Sequence, residues 1–351
     1  MEKIPVSILG ATGMVGQRFA VLLDNHPWFC VVALTGSDRS IGKPYAECCR
    51  WVLTDPMPDY ARHMIVQPTE PDRDSVLAFS ALPADLAREV EPKYAQAGKG
   101  VCSNASAYRQ EADVPILIPE VNPDHAKIID VQREKRGWKG FIVTNPNCTS
   151  AGLTIVFRPI LDSFGIRRSI VVSMQALSGA GYPGVASMDI LDNVLPNIGG
   201  GEEEKVENEP RKMLGTFDRE KIVPAAFAIS AHTNRVAVSD GHMVCVSVEL
   251  GRRASPQEVR AALQGFQSPP AVRDLPSAPT RAIEVRDEDD RPQPRKDRNA
   301  GKGMTTVVGR IRTDPVLDVK FVVLSHNTIR GAAGCALLNA EFLVSQKYLP
   351  H

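Results

Sequence analysis

The fold is decided by residues 4–16, which read Ile-Pro-Val-Ser-Ile-Leu-Gly-Ala-Thr-Gly-Met-Val-Gly. The apolar run Ile4–Leu9 predicts a buried strand, and the apolar spacing of residues 18–25 predicts a helix. The three glycines between them permit a tight turn and let backbone N–H groups approach a pyrophosphate at the helix start. A structural turn in another kind of α/β domain is the alternative, but the position of these glycines directly after the first strand favours dinucleotide binding.

The second predicted strand carries the evidence on which dinucleotide is bound. It covers residues 29–34, and polar side chains follow it at Ser37, Asp38, Arg39 and Ser40. An acidic residue near this strand end can accept a hydrogen bond from the ribose 2′-hydroxyl of NAD, whereas a cation with hydroxyls suits the 2′-phosphate of NADP. Asp38 lies beyond the usual strand-end position, so the sequence favours NADP, with NAD as the alternative.

Strands and helices alternate through the N-terminal half. Further strands are predicted over 76–81, 100–103 and 141–143, with a helix over 84–97. This order predicts a parallel, doubly wound sheet whose ligands lie at the carboxyl ends of its strands. Arg109 follows one of those ends and can grip a phosphate or carboxylate with two hydrogen bonds. A solvated surface arginine is the alternative.

A cysteine stands between a strand and a helix in the run Asn145-Pro146-Asn147-Cys148-Thr149-Ser150, which precedes a helical pattern over 151–164. Asn147 is a suitable helix cap, which places Cys148 on the first turn, beside unpaired N–H groups and the positive end of the helix dipole. That setting is expected to lower the pKa of the thiol from about 8.5 and to favour a reactive thiolate. A small, buried, unreactive cysteine is the alternative.

Size and composition exclude several classes of protein. The chain has 351 residues, which favours two domains, and its 41 basic and 41 acidic side chains leave no global field for nucleic acid or an anionic membrane. Seven cysteines without a C-x-x-C spacing argue against a disulfide framework or a zinc site, so no metal is predicted. We expect neither a membrane span nor a signal peptide, and predict a cytoplasmic location.

The C-terminal half opens with a strand predicted over 170–175 and a loop of small residues, Gln175–Gly184, whose backbone can lie close to a ligand. A mobile loop without a ligand is the alternative. Three glycines at 199–201 precede a charged helix that runs through Leu214. On this helix Glu202 and Lys205 are three residues apart and share a face, and taken by itself this spacing favours a solvent-exposed face over a functional one.

Arg235 and His242 lie seven residues apart on a predicted strand and turn. Histidine suits proton transfer near neutral pH, but a structural histidine is the alternative, and His232 nearby competes for any role given to His242. Strand patterns follow over 244–250, 304–311 and 319–324. The charged segment 281–302 is interpreted as a connection within the second domain, and a final helix over 327–346 is predicted to pack on the first domain.

Together these segments resemble aspartate-semialdehyde dehydrogenases of the archaeal and fungal branch. The resemblance covers nearly the whole chain and rests on segments in the family's order, namely Gly10–Gly16, Ser37–Ser40, Ser103–Ser106, Pro119–His125, Asn145–Thr149, Gln175–Gly184, Glu202–Lys205, Arg235–His242 and His326–Thr328. Ala237 and Tyr108 depart from the commoner family residues, a proline and a histidine or phenylalanine. The resemblance implies an α/β protein with two domains: a Rossmann-type, doubly wound NADP-binding domain over 1–146, completed by 327–351, and an α+β catalytic and dimerisation domain over 147–326.

The resemblance also implies a reaction. This is the NADPH-dependent reductive dephosphorylation of L-4-aspartyl phosphate to L-aspartate 4-semialdehyde, on the route to lysine, threonine, methionine and isoleucine. It implies a homodimer or homotetramer that acts on a small-molecule substrate, with no nucleic-acid or membrane partner. The Cys148 thiolate would form a thioester, which hydride transfer reduces, and His242 would serve as the acid/base residue.

The remaining roles are implied residue by residue. Gln175 would orient the substrate, Arg235 would bind its α-carboxylate and Glu202 its amino group. The phosphate would lie between Arg109 and Lys205, with Asn104 lining the same pocket. The residues expected to bind the cofactor are Gly10, Thr12, Gly13, Met14, Val15, Gly16, Ser37, Arg39, Ser40, Ser80, Ala81, Leu82, Ser178, Gly179 and Asn327.

Three other functions are compatible with parts of this pattern. A related acyl reductase, acting on malonyl-CoA or N-acetylglutamyl phosphate, shares the cysteine chemistry. A cofactor-binding protein without activity would need neither Cys148 nor His242. A cysteine hydrolase would need no glycine-rich turn for a dinucleotide. The pairing of Arg235 with Glu202, one for a carboxylate and one for an amine, favours the aspartyl substrate.

Overall fold

The computed structural model describes residues 2–349, and the first large element is a six-stranded sheet. Its strands are β1 (Ile4–Leu9), β2 (Phe29–Thr35), β3 (Val66–Gln67), β4 (Leu77–Ser80), β5 (Gly100–Ser103) and β6 (Phe141–Thr144). They pair in the order β3-β2-β1-β4-β5-β6, and every pair is parallel. This is the doubly wound order predicted from the sequence, in which ligands bind where the strand order reverses beside β1.

Helices connect these strands on both faces of the sheet. They are α1 (Met14–Leu22), α2 (Tyr45–Cys48), α3 (Asp59–Arg62), α4 (Ala84–Gln96), a 3₁₀ turn (Pro123–Lys127) and α5 (Ile128–Arg136). The first helix begins at Met14 and not at residue 18 as predicted, because Gly13 is extended and forms its N-cap. One face buries Phe19, Phe29 and Phe79, and the other buries Tyr94 and Ile142.

A mixed seven-stranded sheet forms the second large element, and a small two-stranded ribbon lies beside it. The strands of this half are β7 (Ile166–Gln175), β8 (Leu195–Pro196), β9 (Thr216–Phe217), β10 (Ile222–Val223), β11 (Ala228–Arg235), β12 (His242–Leu250), β13 (Ile283–Val285), β14 (Thr306–Thr313) and β15 (Val319–Ser325). The large sheet has the order β13-β14-β15-β12-β7-β11-β8, and β9 pairs with β10.

A long helix covers one face of the second sheet. The helices of this half are α6 (Cys148–Phe164), α7 (Ser187–Ile190), α8 (Glu202–Met213), α9 (Pro256–Gln264), α10 (Pro270–Arg273), α11 (Pro294–Asp297) and a 3₁₀ turn (Leu177–Ala180), with another 3₁₀ turn at Ala300–Gly303. Leu153, Phe157 and Ile160 of α6 are fully buried against the sheet. The opposite face leaves His232 and Cys245 exposed, together with Ile170.

The segment after β15 returns to the first sheet. It forms a π-helical turn (Ile329–Ala333) and α12 (Gly334–Ser345), whose Leu337, Leu338 and Phe342 join the core beside β1. This packing agrees with the prediction. The helical segment is slightly shorter than the predicted 327–346, because it starts two residues later and ends at Ser345. Of the segment 327–351 expected to complete the first domain, residues 350–351 lie outside the described part of the chain.

The charged segment 281–302 is more ordered than a plain connection. It contributes β13 to the edge of the second sheet and carries α11. Asp297 in α11 is buried and forms ion pairs with Arg291 and Arg286. Within residues 2–349 no helix combines the length and apolarity needed to cross a bilayer.

Candidate active site

Cys148 is the first residue of α6, directly after the carboxyl end of β6. Asn147 caps this helix: its side-chain oxygen accepts hydrogen bonds from the N–H groups of Thr149 at 2.9 Å and Ser150 at 3.2 Å. The predicted cap is therefore present, and it satisfies two of the donors that a helix N-terminus leaves unpaired. The cap fixes the direction in which α6 presents Cys148.

His242, the first residue of β12, meets this cysteine. Its Nε2 lies 3.1 Å from Cys148 Sγ, and its Nδ1 accepts a hydrogen bond from the Ala176 N–H at 3.0 Å. A backbone N–H can only donate, so Nδ1 of a neutral His242 carries no proton. The neutral ring therefore has its proton on Nε2 and donates it toward the sulfur.

The expectation of a lowered thiol pKa is wrong. Burial raises the pKa of Cys148 to about 12, and the Glu202 carboxylate adds to the rise, against the opposing effects of Arg109, Arg235 and the Thr149 N–H. Burial likewise lowers the pKa of His242 to about 3, with the Arg235 charge as the next cause. Desolvation disfavours both charged forms, so a neutral thiol faces a neutral imidazole.

Cys148 opens onto a cavity of about 540 Å³ between the two sheets. The residues expected at the substrate line this cavity together: Asn104, Arg109, Gln175, Glu202, Lys205 and Arg235. They come from the loop after β5, from the last residues of β7 and β11 and from the first turn of α8. The fold thus brings together side chains that are up to 131 positions apart in the sequence.

Glu202 organises one wall of the cavity. Its Oε1 accepts hydrogen bonds from Asn147 Nδ2 at 2.7 Å and from Gln175 Nε2 at 3.2 Å. Its Oε2 lies 3.7 Å from Lys205 Nζ, the neighbour that the helical spacing predicted. A partly buried carboxylate beside amide donors provides an acceptor for a cationic group of a ligand.

Two arginines supply positive charge to the cavity. Arg235 is buried and its Nη1 donates to the Ala176 carbonyl at 2.7 Å. Arg109 donates from Nη2 to the Asn104 carbonyl at 2.7 Å, while its Nε has no hydrogen-bond partner among the described residues. Guanidinium groups with donors to spare suit a carboxylate or a phosphate.

The turn after β1 fits a dinucleotide. A Cβ on Gly16 would lie 2.3 Å from the Gly10 carbonyl oxygen, so only glycine lets α1 start this close to the strand. Gly13 has no side chain with which to cap α1, which keeps the first N–H groups of the helix available to an anion. Met14 and Val15 at this helix end line the same cavity as Cys148.

The side chain of Asn327 connects Ser178 in the cavity wall to Gly241, the residue before His242. Its side-chain oxygen accepts from the Gly241 N–H at 2.8 Å, and its Nδ2 donates to Ser178 Oγ at 2.8 Å. The expected cofactor residues that line the cavity are Met14, Val15, Ala81, Leu82, Ser178, Gly179 and Asn327.

Other expected residues lie away from the cavity. Ser37 and Arg39 are exposed on the turn after β2, where Ser40 is buried. The side chain of Ser80 is fully buried and faces Glu91, and Ser80 does not line the cavity. His232 lies on the exposed outer face of the second sheet, opposite to Arg235, and this separates it from Cys148.

Three residues of the site escaped sequence reasoning. Ala176 fixes the ring of His242 with a backbone group, which no residue type can reveal. Gly331 packs directly on Cys148 from the π-helical turn. Glu209 bonds both Arg109 and the backbone of Asn147, and its position seven residues after Glu202 was a usable signal, because that spacing returns to the same face of a helix.

Residues 2–349 hold no cluster of three or more histidine, cysteine or acidic side chains arranged to bind a metal. All seven cysteines, each of them within this range, are free thiols.

Comparison with known proteins gives two family models. The NAD binding domain of semialdehyde dehydrogenases matches residues 5–129, and the dimerisation domain of semialdehyde dehydrogenases matches residues 157–330. The aspartate-semialdehyde dehydrogenase of Archaeoglobus fulgidus is 52% identical over 348 residues, 99% of this chain and 100% of that protein. The Schizosaccharomyces pombe enzyme of the same name is 46% identical over 350 residues, 97% of this chain and 98% of that protein.

Solved structures agree with these relatives. The aspartate semialdehyde dehydrogenase of Candida albicans, crystallised with NADP, superimposes with a TM-score of 0.90 at 40% identity and covers 98% of this chain and 99% of that one. Aspartate semialdehyde dehydrogenase II of Vibrio cholerae, in complex with ASA, gives a TM-score of 0.78 at 26% identity over 99% of this chain and 100% of that one.

Proposed function

This chain belongs to the aspartate-semialdehyde dehydrogenase family, and from that premise we propose how its residues carry out the reaction. The enzyme is an NADP-dependent oxidoreductase that converts L-4-aspartyl phosphate and NADPH to L-aspartate 4-semialdehyde, phosphate and NADP. It acts in the biosynthesis of the aspartate-derived amino acids. The observation that carries the assignment of residues is the contact between Cys148 Sγ and His242 Nε2 at the wall of a cavity that also holds Arg109 and Arg235.

The substrate is bound through its three charged groups. We infer that Arg235 binds the α-carboxylate and Glu202 the ammonium group, because these side chains have opposite charge and lie on the same cavity as Cys148. Arg109 and Lys205 hold the phosphate, with Asn104 beside them. Gln175 donates to Glu202 and thereby orients the group that receives the ammonium.

Cys148 is the nucleophile. Its sulfur attacks the carbonyl carbon of the acyl phosphate, and the bond from that carbon to the phosphate oxygen breaks. The thiol proton leaves with the phosphate, whose oxygens are basic, because Nε2 of the neutral His242, the nitrogen that faces the sulfur, already carries a proton. A thioester on Cys148 and hydrogen phosphate result.

His242 acts as a donor in the second half of the reaction. When bound, NADPH supplies the hydride that reduces the thioester carbon. The Nε2–H of His242 then stabilises the oxygen anion of the hemithioacetal, and after the carbon–sulfur bond breaks it stabilises the thiolate. A proton from solvent then restores the Cys148 thiol, which balances the proton lost with the phosphate. The Thr149 N–H at the start of α6 favours the ionised sulfur and adds to the stabilisation of the thiolate.

The cofactor is held by the elements around α1. We propose that the turn over residues 10–16 binds the pyrophosphate, that Ser37, Arg39 and Ser40 receive the 2′-phosphate, and that Ala81, Leu82, Ser178, Gly179 and Asn327 border the rest of the molecule. Support comes from the close packing of Gly16 against the Gly10 carbonyl oxygen and from the N-terminus of α1, which no side chain caps.

The two halves divide this work. We propose that the NADP-binding domain covers 1–146 with 327–351, and that the catalytic and dimerisation domain covers 147–326. The first sheet ends with β6 at Thr144 and α12 packs in its core, which supports the division.

All thiols of the described residues are reduced, which supports a reducing compartment such as the cytoplasm.

A homodimer or homotetramer forms through the second sheet. Its outer face carries Ile170, with 45% of its surface exposed, together with the exposed Cys245. We propose that a second copy covers this face, within the segment that the dimerisation model matches. An Ile170→Asp variant is expected to shift the mass measured by light scattering toward the monomer, and an unchanged mass would exclude this face.

The experiment that tests the function is phosphate-dependent formation of NADPH from aspartate semialdehyde. Cys148→Ala is expected to abolish turnover while NADP still binds, since the thiol and the turn after β1 have separate roles. Loss of NADP affinity in this variant would contradict that separation. Oxidation of NADPH with malonyl-CoA, but no activity with aspartate semialdehyde, would favour the alternative reductase.

A further inference from the structure

Helix α8 presents a stripe of charged side chains to the active site. Glu202, Lys205, Glu209 and Lys212 are spaced by three, four and three residues, so they lie along one face of the helix. Glu202 and Lys205 line the cavity, whereas Glu209 is fully buried behind it. The stripe thus extends from the cavity wall into the interior.

Glu209 joins two parts of the site that are distant in sequence. Its Oε2 accepts the N–H of Asn147, the residue before Cys148, at 2.5 Å. Its Oε1 accepts from Arg109 Nη1 at 3.1 Å. Each carboxylate oxygen therefore serves a different element, one the cap of α6 and the other the loop after β5.

The guanidinium of Arg109 is held on two sides. Nη1 is bound to Glu209 and Nη2 to the Asn104 carbonyl, which leaves Nε as a donor without a partner among the described residues. Arg109 is itself only 7% exposed, so its charge needs a nearby counterion. Glu209 supplies that counterion and fixes the plane of the Arg109 guanidinium group.

Lys212 holds the backbone of the same loop. Its Nζ donates to the carbonyl oxygens of Arg109 at 2.7 Å, Glu111 at 2.7 Å and Val114 at 2.9 Å. The loop is thereby anchored to α8 independently of Glu209. Removal of the Glu209 charge is expected to disturb the guanidinium and the Asn147 N–H without releasing the loop.

We propose that Glu209 is a positioning residue that couples the phosphate-binding guanidinium of Arg109 to the placement of Cys148. It touches neither substrate nor cofactor and acts through Arg109 and Asn147. The inference rests on the proposed function, in which Arg109 binds phosphate and Cys148 is the nucleophile.

Glu209→Gln is the direct test. A glutamine oxygen can accept from only one of the two donors, and its NH₂ group then faces the other donor without a bond. The expected result is a rise of about tenfold or more in KM for phosphate, with KM for NADP changed by less than about twofold, because Arg109 loses a charged partner. kcat at saturating phosphate is also expected to fall, since the hydrogen bond from the Asn147 N–H to Glu209 helps to position the neighbouring Cys148.

The matched control is Glu207→Gln, the same change on the same helix. Glu207 Oε1 accepts from the Ala231 N–H at 3.0 Å, on the side of α8 that faces β11. This variant is expected to keep all three kinetic constants within about twofold of the wild type. Equal effects of the two variants on KM for phosphate would overturn the proposal.

A double-mutant cycle separates this inference from the proposed function. Arg109→Ala alone is expected to raise KM for phosphate; no rise would contradict the phosphate role of Arg109 itself. In the Arg109→Ala background, Glu209→Gln is expected to raise KM for phosphate by a further factor of less than about two, because Glu209 acts on phosphate binding through Arg109. A full, additive effect there would refute coupling through Arg109 even if the phosphate role holds.

A second variant covers the case in which Glu209→Gln does not fold. Glu209→Asp keeps the charge but is one methylene shorter, so it can reach Arg109 or Asn147 but not both. A rise in KM for phosphate smaller than that of Arg109→Ala is expected. Unchanged kinetic constants in Glu209→Asp would overturn the proposal.

Discussion

Gly331 sets how closely the C-terminal segment packs on Cys148, and Gly331→Ala tests this packing. A Cβ at this position would lie 2.7 Å from Cys148 Cβ, 2.8 Å from its Cα and 3.1 Å from its carbonyl oxygen. Carbon atoms pack at about 3.5–4.0 Å, so the shortfall is about 0.8 Å or more. Either Cys148 or the π-helical turn must move by that distance.

The expected cost follows from this displacement. Misplacement of a reacting group by about 1 Å lowers the rate by about 10²-fold, so we expect kcat to fall by between about 10- and 100-fold. The turn over residues 10–16 is untouched, so NADP affinity is expected to stay within about threefold. The assay is phosphate-dependent NADPH formation, followed by absorbance, with NADP affinity measured by fluorescence titration.

Gly334→Ala is the matched control. It lies three residues further along the same segment, and its Cβ would meet Met304 Sδ at 2.5 Å and Ile329 Cγ2 at 2.8 Å, with no clash against Cys148. We expect this variant to lower the stability of the fold and to leave kcat per folded enzyme nearly unchanged. A Gly331→Ala enzyme with kcat within a factor of about two of the wild type would refute the reasoning, since the turn would then relax away from the cysteine.

Three further predictions concern other parts of the site. His242→Gln, whose amide can donate at the position of Nε2, is expected to retain at least about tenfold more activity than His242→Asn; equal losses would contradict the donor role. Burial raises the pKa of Glu91 to about 7, above its ordinary value of 4.5, so the contribution of Glu91 to stability is full below about pH 4.5 and is lost as pH rises through about 7. Glu91→Gln is therefore expected to gain about 3 kcal/mol relative to the wild type between pH 4.5 and pH 8 in urea unfolding, and a gain independent of pH would oppose this. Arg39→Ala is expected to weaken NADPH much more than NADH in binding titrations; equal weakening would remove the 2′-phosphate assignment.

Local sequence patterns predicted five of the six strands of the first sheet, missing only the two-residue β3, and they predicted the helix that begins at Cys148. These elements are short and apolar and are bounded by glycine, proline or a capping asparagine, so neighbouring residues determine them. The helix α9 was missed although Ser255 and Glu258 form a capping box, which is a readable start signal. The helix α5 was missed because its exposed face is densely charged and gives little apolar periodicity.

Much of the site depended on tertiary structure. Residue patterns alone left Arg109, Glu202 and Lys205 as ordinary surface residues, and only the family resemblance placed them at a substrate. The lowered pKa expected for Cys148 was wrong because a helix N-terminus acts locally, whereas desolvation by the packed domains acts more strongly. The bond from the Ala176 N–H to His242 lies outside what side-chain types can predict.

The return of α12 to the first sheet has a consequence for how the protein is made. Leu337, Leu338 and Phe342 complete the core around β1, yet the ribosome adds them more than 300 residues after that strand. The apolar surface of the nascent N-terminal half around β1 therefore stays uncovered until residues 337–342 have been synthesised. Such surface is prone to aggregation, so we expect the N-terminal half to aggregate more readily without α12 than with it.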